Sequence, residues 1–251
     1  MIKLPDPAAA FQHEQDFLLS CGPSRIGKML ALYDIYQRTR RVPGAIVECG
    51  VFRGGSFTMW AMLRHLLESE HTRSLIGFDT FGEFPRTPAA PDQRIVDHIQ
   101  QVAGLDCIGA DQLVETLSRR GRGLEANTTL VPGDVCETVP KYVADHPELA
   151  ISLLMIDTDL YEPAVTCLTE LVPLVSPGGI VIVDNYGVFP GETQAFREYL
   201  AAHPDTRLEQ PAHTGHLMHF SPSVAAALPN QLAPAVQSAS DSEVRPSRVG
   251  R

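Results

Sequence analysis

Residues 151–161, ISLLMIDTDLY, and 176–187, SPGGIVIVDNYG, decide the architecture of this 251-residue chain. In each, a run of almost uniformly apolar residues ends abruptly in carboxylates or amides. A strand that is hydrophobic on both faces belongs inside a parallel sheet with helices on either side. Pro177-Gly178-Gly179 reads as a turn ahead of the second strand, and a helical segment joins it to the first. Open α/β sheets bind ligands just outside the carboxyl ends of their strands. Two such strands would bring Asp157, Asp184 and Asn185 to one edge, a hard, oxygen-only set suited to a magnesium-like ion.

The same alternation extends outward in both directions. Ala45 to Cys49 reads as a first strand, followed by Gly54-Gly55-Ser56 and a helix from about Phe57 to Leu67. Ser74 to Phe78, ending in Asp79, is a second strand, and Thr128 to Val131, followed by Gly133-Asp134, a third. Helices over 163–173 and 191–202 flank the strands at 150–156 and 179–184, and segments 206–210 and 215–220 suit a terminal antiparallel pair. This order predicts a doubly wound α/β sheet. Residues 11–40 carry apolar residues at helical spacing, broken at Cys21-Gly22-Pro23-Ser24, with Ser24 expected to cap the second helix. The division expected is a helical segment or lid at 1–44, a core at 45–221 with a Pro-rich lid insertion at 82–127, and a disordered Ala/Pro/Ser-rich tail at 222–251.

Composition narrows the function. A net charge of −10 argues against a nucleic-acid backbone or an anionic membrane as the main partner. No apolar run approaches the roughly 18 residues that span a bilayer, and acidic residues interrupt the first 16 positions where a secretory signal would lie. The five cysteines are odd in number and lack CxxC spacing, as expected of reduced thiols in a cytoplasmic protein.

The first strand leads into Glu48-Cys49-Gly50-Val51-Phe52-Arg53-Gly54-Gly55-Ser56. Glycines in a strand-to-helix turn let the backbone approach a ligand closely. Their spacing is not that of the dinucleotide fingerprint, because glycine falls at 50, 54 and 55. An acid ahead of the turn suits a cofactor with a positive or zwitterionic part, and S-adenosylmethionine is one. Glu48, Gly50, Arg53, Gly54 and Ser56 are therefore candidate cofactor residues. Asp79 is placed to accept the ribose hydroxyls, Asp134 lies near the adenine, and Asp157 is shared between cofactor and metal.

VECGVFRGGS, IGFDTFGEFP, VPGDVCETVP, LLMIDTDLYEPAVTCLTEL and SPGGIVIVDNYG, in this order over about residues 24–220, resemble the macrocin O-methyltransferase family. The resemblance implies a class I methyltransferase fold of seven strands with the last antiparallel. It also implies a metal held at the IDTDLY and VDNY segments, sugar O-methylation in antibiotic pathways, and homo-oligomers in which N-terminal helices and lids help close the site. Family members commonly carry Asp-Asp where this chain has Asp184-Asn185. The amide still offers a carbonyl oxygen, but site charge falls by one.

Methyl transfer from a sulfonium needs positioning and an oxygen nucleophile. Asp159 is the candidate general base, with capping of the following helix as its alternative reading, and Asp157 supports catalysis through the ion. His98, His213, His216 and His219 are rival bases, and Tyr161 and Tyr186 either bound the pocket or pack. A catechol or other phenol is the alternative substrate, favoured by the Asp-Asp-Asn set. A non-catalytic S-adenosylmethionine-binding protein is the reading from another functional class.

Overall fold

The computed structural model describes residues 2–82, 97, 101, 104, 106–121 and 123–222. Along the chain run α1 (Ala10–Ser20), α2 (Pro23–Thr39), β1 (Ala45–Cys49), α3 (Gly55–Leu67), β2 (Leu75–Asp79) and α4 (Ala110–Arg120). They are followed by β3 (Thr128–Pro132), α5 (Val135–Asp145), β4 (Ile151–Ile156), α6 (Tyr161–Glu170), β5 (Val175–Val183), α7 (Pro190–Ala202) and β6 (Met218–Phe220). Much of the insertion at 82–127, including Glu83, Phe84 and His98, and the tail beyond 222 lie outside the described residues.

The strands form one sheet in the order β3-β2-β1-β4-β5-β6. The first five are parallel, and β6 runs antiparallel against β5. Alternating side chains divide the core between the two faces of the sheet, as a strand period of two requires. Val47, Leu154, Ile156, Val181 and Val183 face α5, α6 and α7 through Val139, Cys167 and Phe196. Ile46, Leu153, Met155, Ile180 and Ile182 face α2, α3 and α4 through Ile35, Tyr36, Trp60 and Leu117. On this second face Gly77 leaves room for Phe57, since a Cβ there would lie 2.6 Å from the Phe57 ring. The chain reverses direction across the sheet between β1 and β4, which opens a crevice at their carboxyl ends.

Three details differ from the sequence reading. Among the described residues the sheet has six strands, not seven. The segment expected as a strand at 206–210 is reduced to a single antiparallel bridge between Glu209 and His219. Its side chains are mostly exposed, so little burial drives a longer ladder. Pro177-Gly178-Gly179 is no turn ahead of a strand. β5 runs through it, with Val175 opposite Ile151 and Ile180 opposite Leu153, so the extra residues bulge out of the ladder. Ser24 does not cap α2, because Pro23 occupies the first helical position and Gly22 the cap.

Candidate active site

Five strand ends meet in a cavity of about 360 Å³, lined among others by Gly50, Phe52, Asp79, Asp134, Asp157, Asp159, Asp184 and Asn185. That size falls within the range that holds a small cofactor. Arg25 and Lys28 of α2, together with Phe189, complete its wall. The acidic lining favours a ligand with positive charge.

Gly50 is the pivot between β1 and β4. Its φ is +91°, and a Cβ on it would stand 1.8 Å from the Asp157 carbonyl oxygen. The backbone at Asp157 donates to the Cys49 carbonyl at 2.9 Å, which continues the β1–β4 ladder to the cavity floor. Asp79 is fixed by two backbone donors, Phe52 N–H on Oδ2 and Phe81 N–H on Oδ1, both at 2.8 Å. Its carboxylate therefore ties the glycine loop to the end of β2 and keeps unused lone pairs toward the cavity.

Other candidates are placed less directly. Glu48 is fully buried and does not line the cavity. It accepts from the Ser56 hydroxyl at 2.7 Å, so these two residues brace the root of the loop against α3. Alternation explains this, since Glu48 shares the face of Ile46 and points under α3. Gly54, with φ +76°, is the N-cap of α3. Arg53 donates from Nε to the Asp106 carbonyl at 3.2 Å, and its guanidinium lies 5.1 Å from the Phe52 ring centre. Asp134 lines the cavity, and its carboxylate also caps α5 by accepting from Cys136 N–H at 2.8 Å.

Burial lifts the Glu48 carboxyl to about 8, an effect the Ser56 hydrogen bond only partly offsets. The folded state then holds a proton that the unfolded chain releases near its ordinary pKa of 4.5. Between those values the native state binds more protons, so stability falls as pH rises, by roughly 1.4 kcal/mol per pH unit at most. Above about 8 the loss levels off. Glu48→Gln keeps an acceptor for Ser56 and removes this slope. Its melting temperature relative to the parent chain is expected to rise steadily from pH 5 to about pH 8. Thermal melts across that range check it, and parallel curves would refute it.

The Asp157–Asp184–Asn185 cluster faces α2. Met155 and Ile182 are register partners on the α2 face of the sheet, and each aspartate lies two residues further on. The Asn185 amide nitrogen reaches Asp157 Oδ1 at 3.3 Å and Asp184 Oδ2 at 3.2 Å. Lys28 Nζ donates to Asp184 Oδ2 and stands 4.0 Å from Asp157 Oδ2. Burial, then the Asp184 charge, pushes the Asp157 carboxyl well above the usual range, with Lys28 opposing both. Burial would lower the Lys28 ammonium, but Asp157 and Asp184 outweigh it and raise it.

Asp159 lines the cavity with φ +62°, a left-handed conformation that aspartate tolerates better than most residues. It does not cap α6, whose cap position is Leu160. Glu192, buried in the first turn of α7, accepts from Thr158 N–H at 3.1 Å. Burial and then the Asp159 charge push its carboxyl well above the ordinary range. Glu192 thus holds the 157–159 turn from behind. Tyr161 donates to Glu198 at 2.7 Å, and Tyr186 packs against the core. His213 and His216 are exposed and do not line the cavity. His219 is buried between Arg38 and Glu209.

A family model described as macrocin O-methyltransferase matches residues 21–212. The chain belongs to the macrocin O-methyltransferase family. Among family-level relatives, an 8-demethyl-8-(2,3-dimethoxy-alpha-L-rhamnosyl)-tetracenomycin-C 4'-O-methyltransferase of Streptomyces olivaceus is 32% identical over 59% of this chain and 54% of its own length. A demethyldecarbamoylnovobiocin O-methyltransferase of Streptomyces niveus is 31% identical over 64% and 59%. The matches thus span little more than half the length of these relatives. The calicheamicin methyltransferase CalS11 superposes with a TM-score of 0.68 at 27% identity, covering 86% of each chain. The O-methyltransferase NovP superposes at 0.66 and 25% identity, over 79% of this chain and 80% of its own. The macrocin O-methyltransferase match includes α2, and so takes in Arg25 and Lys28, which the motif reading passed over. Arg25, a cation in the first turn of a helix, runs against its dipole, and that anomaly is the sequence signal that marks it.

Proposed function

We propose that this chain is an S-adenosylmethionine-dependent O-methyltransferase for a hydroxyl of a sugar-containing natural product or its nucleotide-sugar precursor. The observation that carries the reading is the convergence of Gly50, Asp79, Asp157, Asp159 and Asp184 on one cavity at the topological switch point. Membership of the macrocin O-methyltransferase family, and relatives named for methylating glycosylated antibiotics, support the reaction class.

The reading includes a divalent cation such as Mg²⁺. Among the described residues, no group of three or more His, Cys, Asp or Glu side chains is arranged to hold a metal. The set proposed here is two carboxylates and an amide. Its chemistry fits, because the Asn185 amide already bridges Asp157 and Asp184, and rotating it by half a turn exchanges nitrogen for oxygen. A positive group, the Lys28 ammonium, is already drawn to the same carboxylates. When bound, S-adenosylmethionine supplies an activated methyl group and the cation lowers the pKa of a substrate hydroxyl.

This chain's residues do the rest. Gly50 allows the loop to lie against β4, and Asp79 and Asp134 offer acceptors along the cofactor end of the cavity. Asp159 takes the hydroxyl proton on its carboxylate, and Glu192 keeps the 157–159 turn in place. Exposed Phe11, Leu18 and Leu19 on α1 support a homo-oligomer. Five free thiols suit a reducing, cytoplasmic setting. No helix among the described residues is long and apolar enough to cross a membrane.

The test is product mass spectrometry across nucleotide sugars, glycosides and simple catechols, with Mg²⁺ or with EDTA. Methylated sugars that disappear with EDTA are expected. Methylation confined to catechols would transfer the reading to phenolic substrates. Cofactor binding without any product would favour a non-catalytic binder.

A further inference from the structure

We propose that Lys28 is a tethered counter-ion that competes with a divalent cation for Asp157, Asp184 and Asn185, so that metal entry displaces the lysine side chain from Asp184. The inference rests on the metal reading above. Lys28 Nζ is hydrogen-bonded to Asp184 Oδ2 and lies 4.0 Å from Asp157 Oδ2. A cation ligated by those carboxylates at roughly 2.0–2.6 Å would lie beside the ammonium, and two positive charges at that spacing repel strongly. One of them must leave.

The side chain, not the helix, is the part free to move. Next to Lys28, Gly27 packs so closely on the segment before β6 that a Cβ would stand 2.0 Å from the His213 carbonyl oxygen. Ala31, Leu32, Ile35 and Tyr36 bury the rest of that helical face. The four-carbon lysine stem is flexible and only partly buried, its side chain 27% exposed. The position also makes little sense locally. Lys28 lies in the second turn of α2, next to the cation Arg25, and its helical neighbours Ser24, Arg25, Ala31 and Leu32 include no acid. Its partners are across the cavity.

Mn²⁺ binding to the metal-free full-length protein, read by calorimetry or by loss of the free-ion EPR signal, tests the idea. Lys28→Met is expected to bind Mn²⁺ at least about tenfold more tightly than the parent chain, and Lys28→Arg to stay close to it. Equal or weaker binding by Lys28→Met, with clear binding by the parent, would overturn the competition and leave the metal reading standing. No Mn²⁺ binding by any of the three would remove both. A second measurement needs no variant. The chain has three lysines, with Lys3 and Lys141 serving as internal references. Reductive methylation mapped by mass spectrometry is expected to modify Lys28 severalfold faster when Mn²⁺ is present. An unchanged or slower rate would also overturn the proposal.

Discussion

Asp184→Ala is expected to lower methyl transfer by roughly 10³-fold or more while leaving the fold and cofactor affinity nearly intact. Asp184 is almost fully buried at the end of β5, and its carboxylate is the point where Lys28 and Asn185 meet. Removing it takes away one of two carboxylates in the proposed ion site, so both hydroxyl activation and substrate positioning fail together. Effects of this kind fall on turnover, because they act on the reacting oxygen. The stability cost is moderated by compensation. The variant leaves Lys28 with Asp157 as its remaining acid at the cluster, and it relieves the Asp184 repulsion that adds to burial in raising the Asp157 carboxyl. Cofactor affinity should change little, because Gly50 and Asp79 are untouched. Steady-state kinetics beside calorimetric titration of S-adenosylmethionine would check this. Retention of most of the activity would sink the metal-assisted mechanism.

What could be read from the residues divides along physical lines. Strands buried on both faces declare themselves through unbroken apolar runs, and β1, β4 and the inner half of β5 were expected within a residue or so of where they lie. Asp157, Asp184 and Asn185 were legible for the same reason, since a polar residue directly after such a run has to sit at the sheet edge. The outermost strand was not legible, because residues 206–210 are mostly exposed and their pairing depends on what they meet in space. The bulge in β5 leaves no distinct sequence signal, because Pro-Gly-Gly marks a turn equally well.

Side chains that reach the site from other elements leave the weakest trace in the sequence. Glu48 looked like a ligand by its place before the glycine loop, yet strand alternation aims it at Ser56. Lys28 and Glu192 lie 129 and 35 residues from Asp157, counted from their numbers, and only the tertiary fold brings both to it. The sequence shows Lys28 without an acidic partner on its own helix, but it does not show which carboxylate elsewhere pairs with it.

The second large effect is expected at a residue with no functional group. Gly50→Ala should destabilise the fold by about 4 kcal/mol and abolish cofactor binding in whatever fraction remains folded. Two independent costs combine here. A φ of +91° is strained for any residue with a Cβ, and that Cβ would stand 1.8 Å from the Asp157 carbonyl oxygen and 2.6 Å from its carbon. The neighbour is backbone, not the flexible end of a side chain, so relief requires β1 and β4 to separate at the switch point. That separation would break the hydrogen bond from Asp157 N–H to the Cys49 carbonyl and shift Asp157 away from the Asn185 amide. A change that looks minimal thus strikes the proposed cofactor loop and the proposed ion site at once. Gly55→Ala, at the start of the helix that follows the same loop, is the natural control. Nothing lies within 4 Å of a Cβ there, and Gly55 begins α3, where alanine is preferred. Thermal melts should therefore separate the two variants widely, with Gly55→Ala close to the parent chain. If both melt alike, the close approach of β1 to β4 is not what demands glycine at position 50.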